Sequence, residues 1–94
     1  MSKTRTIEVF VGSNNQTHKV DRAMLERTLG RFVDGWTIRG ADGYWEGMRE
    51  RSVSVLLDID KKRQRSLFDA ILSGNEQRAI AWHRVEPLRF AVAA

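Results

Sequence analysis

The chain has 94 residues, 41% of them hydrophobic and 30% charged, and its 16 basic and 12 acidic side chains give a formal net charge of +4. That length supports one domain with a hydrophobic core, and the lack of cysteine excludes disulfides and thiolate metal sites. We expect a cytoplasmic protein with no signal peptide, membrane span or cofactor. The basic residues are spread along the chain, so small phosphorylated molecules, nucleic acid and acidic protein surfaces are alternative partners.

A strand and a helix are predicted first. Residues 7–11 alternate apolar with other side chains and end at a turn-rich segment, which is typical of a strand. Asp21 is a good N-cap for the helix that follows, and Gly35 is the expected C-terminal cap. The helix has an apolar stripe made of Met24, Leu25, Thr28, Leu29 and Phe32.

The middle of the chain predicts a hairpin. Its first strand is expected to begin at Trp36 and to pass through a glycine-rich segment, and its second strand covers residues 51–59. The second strand has the clearest period-two pattern in the sequence and is expected to be central in the sheet. The alternating residues are Val53, Val55, Leu57 and Ile59.

A second helix and a last strand complete the order. Asp60 is the expected N-cap of a helix over residues 61–73, which ends at Gly74 and Asn75. Residues 79–85 predict a fourth strand, and residues 88–92, after the only proline, predict a short additional C-terminal strand. The helix stripe consists of Leu67, Phe68, Ile71 and Leu72.

The resulting order, βαββαβ, predicts an α+β fold, a ferredoxin-like sandwich of residues 1–94. Two helices would cover one face of an antiparallel sheet and leave the other face to solvent, a ligand or another subunit. Phe10 and Leu56 have the opposite parity from the core residues of their strands, so both are expected on the uncovered face. An apolar uncovered face favours a homo-oligomer.

Few residues suggest catalysis. The serines lie in no nucleophile-elbow context, and His18 and His83 lack metal-ligand spacing, so no catalytic or metal residue is predicted. We expect His18 in an exposed loop and His83 on a strand, facing solvent or an interface. Glu46 and Glu50, with Asp42 nearby, could supply a general base, but pairing of these carboxylates with the arginines of the hairpin is the simpler interpretation.

The segment 35–47 holds four glycines and three large aromatic residues. Glycines admit a ligand closely, aromatic rings stack on planar groups, and arginines bind anions. The candidate ligand-binding residues are Arg39, Gly43, Tyr44, Trp45, Gly47, Arg49 and Arg51. In the alternative interpretation, Trp36 and Trp82 fill the core between sheet and helices, and Trp45 seals a subunit interface.

A second candidate anion site is the basic start of the second helix, where backbone N–H groups and cations point the same way. Its residues are Lys61, Lys62, Arg63 and Arg65. Such a run is also typical of the solvated face of a surface helix.

Four short segments carry a family resemblance, namely residues 9–12, 34–38, 43–45 and 50–56. Over roughly half its length, the chain resembles small bacterial and phage domains of unknown function that are similar to PII-like ferredoxin-fold proteins. The resemblance implies an oligomeric sandwich that binds a small anion between subunits beside the hairpin, and a regulator rather than an enzyme. The hairpin is shorter than the regulatory loop of the nitrogen-regulatory members, and their ATP-binding signatures are absent.

Three hypotheses follow. The favoured one is a non-enzymatic homo-oligomer that binds a nucleotide-like anion near the hairpin of residues 39–51, for example a phage protein that sequesters a host immune signalling nucleotide. The second is a nucleic-acid or protein-interaction module that uses the open sheet face and the basic helix start. The third is a small dimeric ferredoxin-like enzyme with Glu46 or Glu50 as base.

Overall fold

The structure, a computed structural model, describes residues 3–13, 19–74, 77, 79–86, 91 and 93, and the side chain of Trp45 lies outside this description. Its elements are strand β1 (Thr4–Gly12), helix α1 (Arg22–Gly30), strands β2 (Trp36–Trp45) and β3 (Met48–Asp60), helix α2 (Gln64–Gly74) and strand β4 (Ala81–Arg84). A 3-10 turn, Lys61–Arg63, joins β3 to α2. The predicted order of elements is confirmed.

The four strands form one antiparallel sheet in the order β2-β3-β1-β4. β3 lies between β2 and β1, which confirms its predicted central position, while β2 and β4 form the two edges. This is the ferredoxin-like arrangement, in which each helix crosses over one strand to reach the next position in the sheet. None of the described helices has the length and apolar character needed to span a bilayer.

The helices pack on one face of the sheet and form a single core with it. The buried core residues are Ile7, Val9, Val11, Leu25, Leu29, Val53, Val55, Leu57, Ile59, Leu67, Phe68 and Ile71. Trp36 and Ile38 of β2 are partly buried against this core, as the alternative interpretation of Trp36 expected. Trp82 packs on Phe68 with a ring-centroid distance of 5.4 Å but remains 40% exposed. Burial of these apolar side chains is the main stabilising term of the fold.

The other face of the sheet is called here the open face, and Glu8, Phe10, Ser54 and Leu56 lie on it. Phe10 is 38% exposed and Leu56 is half-buried, as their parity predicts. Of the described elements, both helices contribute their apolar stripes to the core on the opposite side. The open face is therefore the one large sheet surface that the described helices leave accessible.

The start of α1 agrees with its predicted cap, but its end does not. The Asp21 carboxylate accepts a hydrogen bond from the Met24 amide at 3.0 Å. The helix ends at Gly30, since the Arg31 amide donates to the Thr28 carbonyl in a tightened last turn. The prediction that Gly35 caps α1 is therefore wrong.

The second helical segment begins more tightly than predicted. The Asp60 carboxylate accepts from the Lys62 amide at 2.9 Å, which confirms Asp60 as a cap, but the first turn is a 3-10 turn and α2 starts only at Gln64. The positions predicted for His18, for Asn75 and for most of the additional strand over 88–92 lie outside the described residues.

Candidate functional site

The β2–β3 hairpin closes in a two-residue turn formed by Glu46 and Gly47. Both residues have positive φ, 50° and 79° respectively, as a type I′ turn requires. Gly47 adopts such a φ at little cost, so the turn itself explains this glycine. The rest of the glycine-rich segment continues as β2.

A shallow groove of about 580 Å³ lies along the hairpin below this turn and is called here the hairpin groove. It is lined by Gly40, Ala41, Asp42, Arg49, Arg51 and Ser52. A Cβ added at Gly40 would meet no atom within 4 Å, so the groove is open at that position. Two guanidinium groups and one carboxylate give the lining a formal charge of +1.

Four side chains form a square on one face of the hairpin. Tyr44 lies directly opposite Arg49, and Asp42 lies directly opposite Arg51. Residues opposite each other in an antiparallel pair share a face, and so do residues two apart in a strand. The Arg49 Nη2 donates to Asp42 Oδ2 at 2.9 Å across the square, which confirms the expected pairing for this arginine.

The predicted ligand-binding residues are brought together only in part. Arg49 and Arg51 line the groove, and Tyr44 is 74% exposed beside the turn. A Cβ on Gly43 would make only ordinary contact with the Glu50 carbonyl, at 3.8 Å. Arg39 lies on the open face, outside the groove lining, and the predicted role of the Trp45 side chain lies outside the described residues.

Arg39 belongs instead to a polar cluster around Glu8, in the middle of β1. Glu8 accepts a hydrogen bond from Ser54 Oγ at 2.5 Å, and its Oε1 lies 2.7 Å from His83 Nε2. The Arg39 Nη2 is 3.7 Å from Glu8 Oε2. The Ser54 and His83 hydrogen bonds lower the pKa of Glu8, against a smaller opposite effect of desolvation.

This cluster does not have the geometry of a nucleophile and its base. The carboxylate stands between the Ser54 hydroxyl and the His83 imidazole, whereas activation of a serine needs the imidazole beside the hydroxyl. Phe10 stacks on the imidazole with a centroid distance of 6.1 Å, which further fixes the ring. His83 thus faces the solvent side of β4 as predicted, while Glu8 was not among the predicted site residues.

Part of the basic start of the second helix serves the fold. The Arg63 guanidinium donates to the carbonyls of Phe32 and Arg31 at 3.0 and 2.9 Å, just after α1 ends, and lies over the Phe32 ring. Arg65 pairs with Asp69 one turn along α2 at 3.1 Å. Lys61 and Lys62 are exposed.

The two hairpin glutamates occupy different environments. Glu46 is exposed in the turn, whereas the half-buried Glu50 carboxylate lies so close to Gly12 that a Cβ on this glycine would be 2.5 Å from Oε1. Across the described part of the chain, no three His, Cys, Asp or Glu side chains are grouped as a metal site would need.

Neither a protein-family model nor a curated protein matches this sequence. Among solved structures, the chain is similar to a DUF3240 family protein from Shewanella baltica, with a TM-score of 0.65 and 12% identity over 100% of both chains. It is similar to Arabidopsis thaliana PII bound to citrate, with a TM-score of 0.59 and 18% identity over 89% of this chain and 78% of that chain. It is also similar to CutA from Synechococcus elongatus, with a TM-score of 0.55 and 14% identity over 94% and 80%. These likenesses confirm the resemblance to PII-like proteins at the level of the fold.

Proposed function

We propose that this protein is a non-enzymatic binding protein that holds a small, anionic, nucleotide-like ligand in the hairpin groove. The observation that carries the proposal is the placement of Arg49 and Arg51 on one face of the hairpin, where both line one groove. Guanidinium groups bind phosphate and carboxylate through paired hydrogen bonds. The groove volume falls within the range of about 300–1,000 Å³ that is typical of small-molecule sites.

Tyr44 supplies the aromatic surface that a nucleotide needs. Its ring is 74% exposed and shares a face of the hairpin with both arginines of the groove. An exposed ring next to guanidinium groups stacks on a nucleobase while the cations bind the phosphate. PII is similar to this chain and was solved with citrate, a small anion, which supports an anionic ligand for this fold.

In this proposal the protein forms a homo-oligomer. Phe10 is 38% exposed at the centre of the open face, and Leu56 is half-buried close to it. Exposed apolar side chains grouped on one face favour association with a second copy, which removes them from water. A narrower form of the proposal is a phage protein that sequesters a host signalling nucleotide.

The first test is native mass spectrometry of protein purified gently from cells. We expect an oligomer that carries a stoichiometric extra mass, and we expect Arg51→Gln to lose that mass. The matched control replaces Lys61 and Lys62 by glutamine, since these exposed cations lie outside the groove. A bare monomer contradicts the proposal, and loss of the mass only in the lysine variant favours the basic helix start instead.

A further inference from the structure

Resting on the proposed function, we propose that the ligand is a guanine nucleotide and that Asp42 recognises its base. The hairpin groove holds a carboxylate as well as two cations, although a site for a bare anion has no use for an acidic group. Asp42 lies directly opposite Arg51, and the Cβ atoms of such a pair are about 4.5–5.5 Å apart. A hydrogen-bond acceptor, the Asp42 carboxylate, and a donor, the Arg51 guanidinium, therefore lie next to each other in the groove.

The Asp42 carboxylate has acceptor capacity left for a ligand. Among the described residues, the Asp42 side chain accepts one hydrogen bond, which Arg49 donates to Oδ2. A carboxylate has about four lone-pair positions. The Arg49 bond also holds the carboxylate in place on the same face as the Tyr44 ring, because it links two corners of the square.

Guanine is the base that fits this acceptor. Its Watson–Crick edge offers two adjacent donors, N1–H and the N2 amine, which one carboxylate accepts together. Adenine offers a single donor, its N6 amine, and the neighbouring N1 carries a lone pair that a carboxylate repels. A guanine stacked on Tyr44 would thus meet Asp42 at its edge, while Arg51 binds the phosphate.

The ion pair between Arg49 and Asp42 contributes little to the stability of the fold, so Asp42 can be replaced without unfolding the protein. The side chains of Arg49 and Asp42 are 64% and 58% exposed, and such surface pairs contribute little to the stability of a protein because water screens them. Asp42→Asn keeps the shape of the side chain and replaces one carboxylate oxygen by an amide donor. The folded hairpin should therefore persist in this variant.

The experiment measures the affinities of guanosine 5′-monophosphate and adenosine 5′-monophosphate by calorimetric titration. We expect the wild-type protein to prefer the guanine nucleotide by about tenfold, since discrimination rests on hydrogen bonds to one charged group. Asp42→Asn should abolish the preference while retaining binding of the adenine nucleotide. Asp34→Asn removes the same charge from an exposed loop residue outside the groove and should keep the wild-type preference.

The outcomes separate this inference from the proposed function. Equal affinities for the two nucleotides in the wild-type protein, or an unchanged preference in Asp42→Asn, overturn guanine recognition and leave anion binding in place. Absence of binding by both nucleotides overturns both proposals. A preference that disappears equally in Asp34→Asn also overturns the inference, because net charge rather than the position of Asp42 would then explain the effect.

Discussion

Glu8 and His83 lie opposite each other on neighbouring strands, with 2.7 Å between Glu8 Oε1 and His83 Nε2. The contact joins edge strand β4 to β1 at the open face. β4 has only four residues, all exposed, and it is also held by its antiparallel pairing with β1 and by the contact of Trp82 with Phe68. The carboxylate is 19% exposed, accepts from Ser54 of β3 and lies 3.7 Å from the Arg39 guanidinium of β2, so side chains of all four strands meet at Glu8.

The contribution of Glu8 to the free energy of unfolding should decrease as the pH falls into the acid range. Its pKa is lowered below the usual value of 4.5, mainly by the Ser54 hydrogen bond and then by His83. A carboxylate with a lowered folded-state pKa contributes stability above its unfolded pKa and loses it as the pH falls through the folded-state pKa. We expect Glu8→Gln to lower the free energy of unfolding by about 1 kcal/mol at pH 7.

The difference between wild type and Glu8→Gln should shrink as the pH falls below 4.5, the usual pKa of this group. Urea denaturation at several pH values measures it. Glu26→Gln, at an exposed position on α1, is the matched control and should change stability little throughout. A difference for Glu8→Gln that stays constant into strong acid would contradict the linkage.

Phe10 should control assembly if the proposed oligomer forms through the open face. Phe10→Lys places a charge where the apolar contact would be and is expected to give a monomer, which light scattering coupled to size exclusion detects. Because the ring is already 38% exposed, the fold should survive, as circular dichroism would verify. Ala23→Lys adds the same charge at an exposed position on α1 and should leave the mass unchanged. An unchanged mass for Phe10→Lys argues against this interface.

The local features of this fold could be predicted because the interacting groups are close in sequence. The Asp21 cap bonds an amide three residues away, and the alternation along β3 sets its buried face without reference to other strands. The end of α1 could not be predicted in this way, because Gly30 and Gly35 both suit a helix terminus. Only the hydrogen bonds that the amides after Gly30 donate to carbonyls of the last turn show where the helix ends. The sequence grouped Tyr44, Arg49 and Arg51 with Arg39 in one hairpin, but only the strand register shows that the first three share a face.

The Glu8 cluster could not be predicted in the same way. Its hydrogen-bond partners lie 46 and 75 residues away, and only the strand order brings them together. The sequence does contain one sign, a carboxylate between Ile7 and Val9 in a strand that ends up inside the sheet. At Arg63 the sequence suggested a function where the structure shows a structural contact. The basic run predicted an anion site, whereas the Arg63 guanidinium donates hydrogen bonds to two backbone carbonyls.

Replacement of Arg63 should therefore destabilise the fold. Arg63→Met removes two hydrogen bonds to carbonyls beyond the end of α1 and the contact 5.4 Å above the Phe32 ring. The expected loss is about 1 kcal/mol in the free energy of unfolding, measured by urea denaturation. Arg65→Met is the matched control, because its pair with Asp69 lies within one exposed helix turn and contributes about 0.3 kcal/mol. Equal losses for the two variants would contradict a special role for Arg63.

Two strand glycines should respond differently to alanine. A Cβ on Gly12 would be 2.5 Å from the Glu50 carboxylate, whereas one on Gly40 would meet nothing within 4 Å. Because Glu50 is flexible, we expect Gly12→Ala to cost only about 0.5–1 kcal/mol, and Gly40→Ala to be neutral or slightly stabilising through the unfolded chain. Removing the carboxylate with Glu50→Ala should abolish the cost at Gly12, so a double-mutant cycle measures the contact directly. If Gly12→Ala costs the same with and without the Glu50 carboxylate, the close approach of the two residues is not what requires glycine at this position.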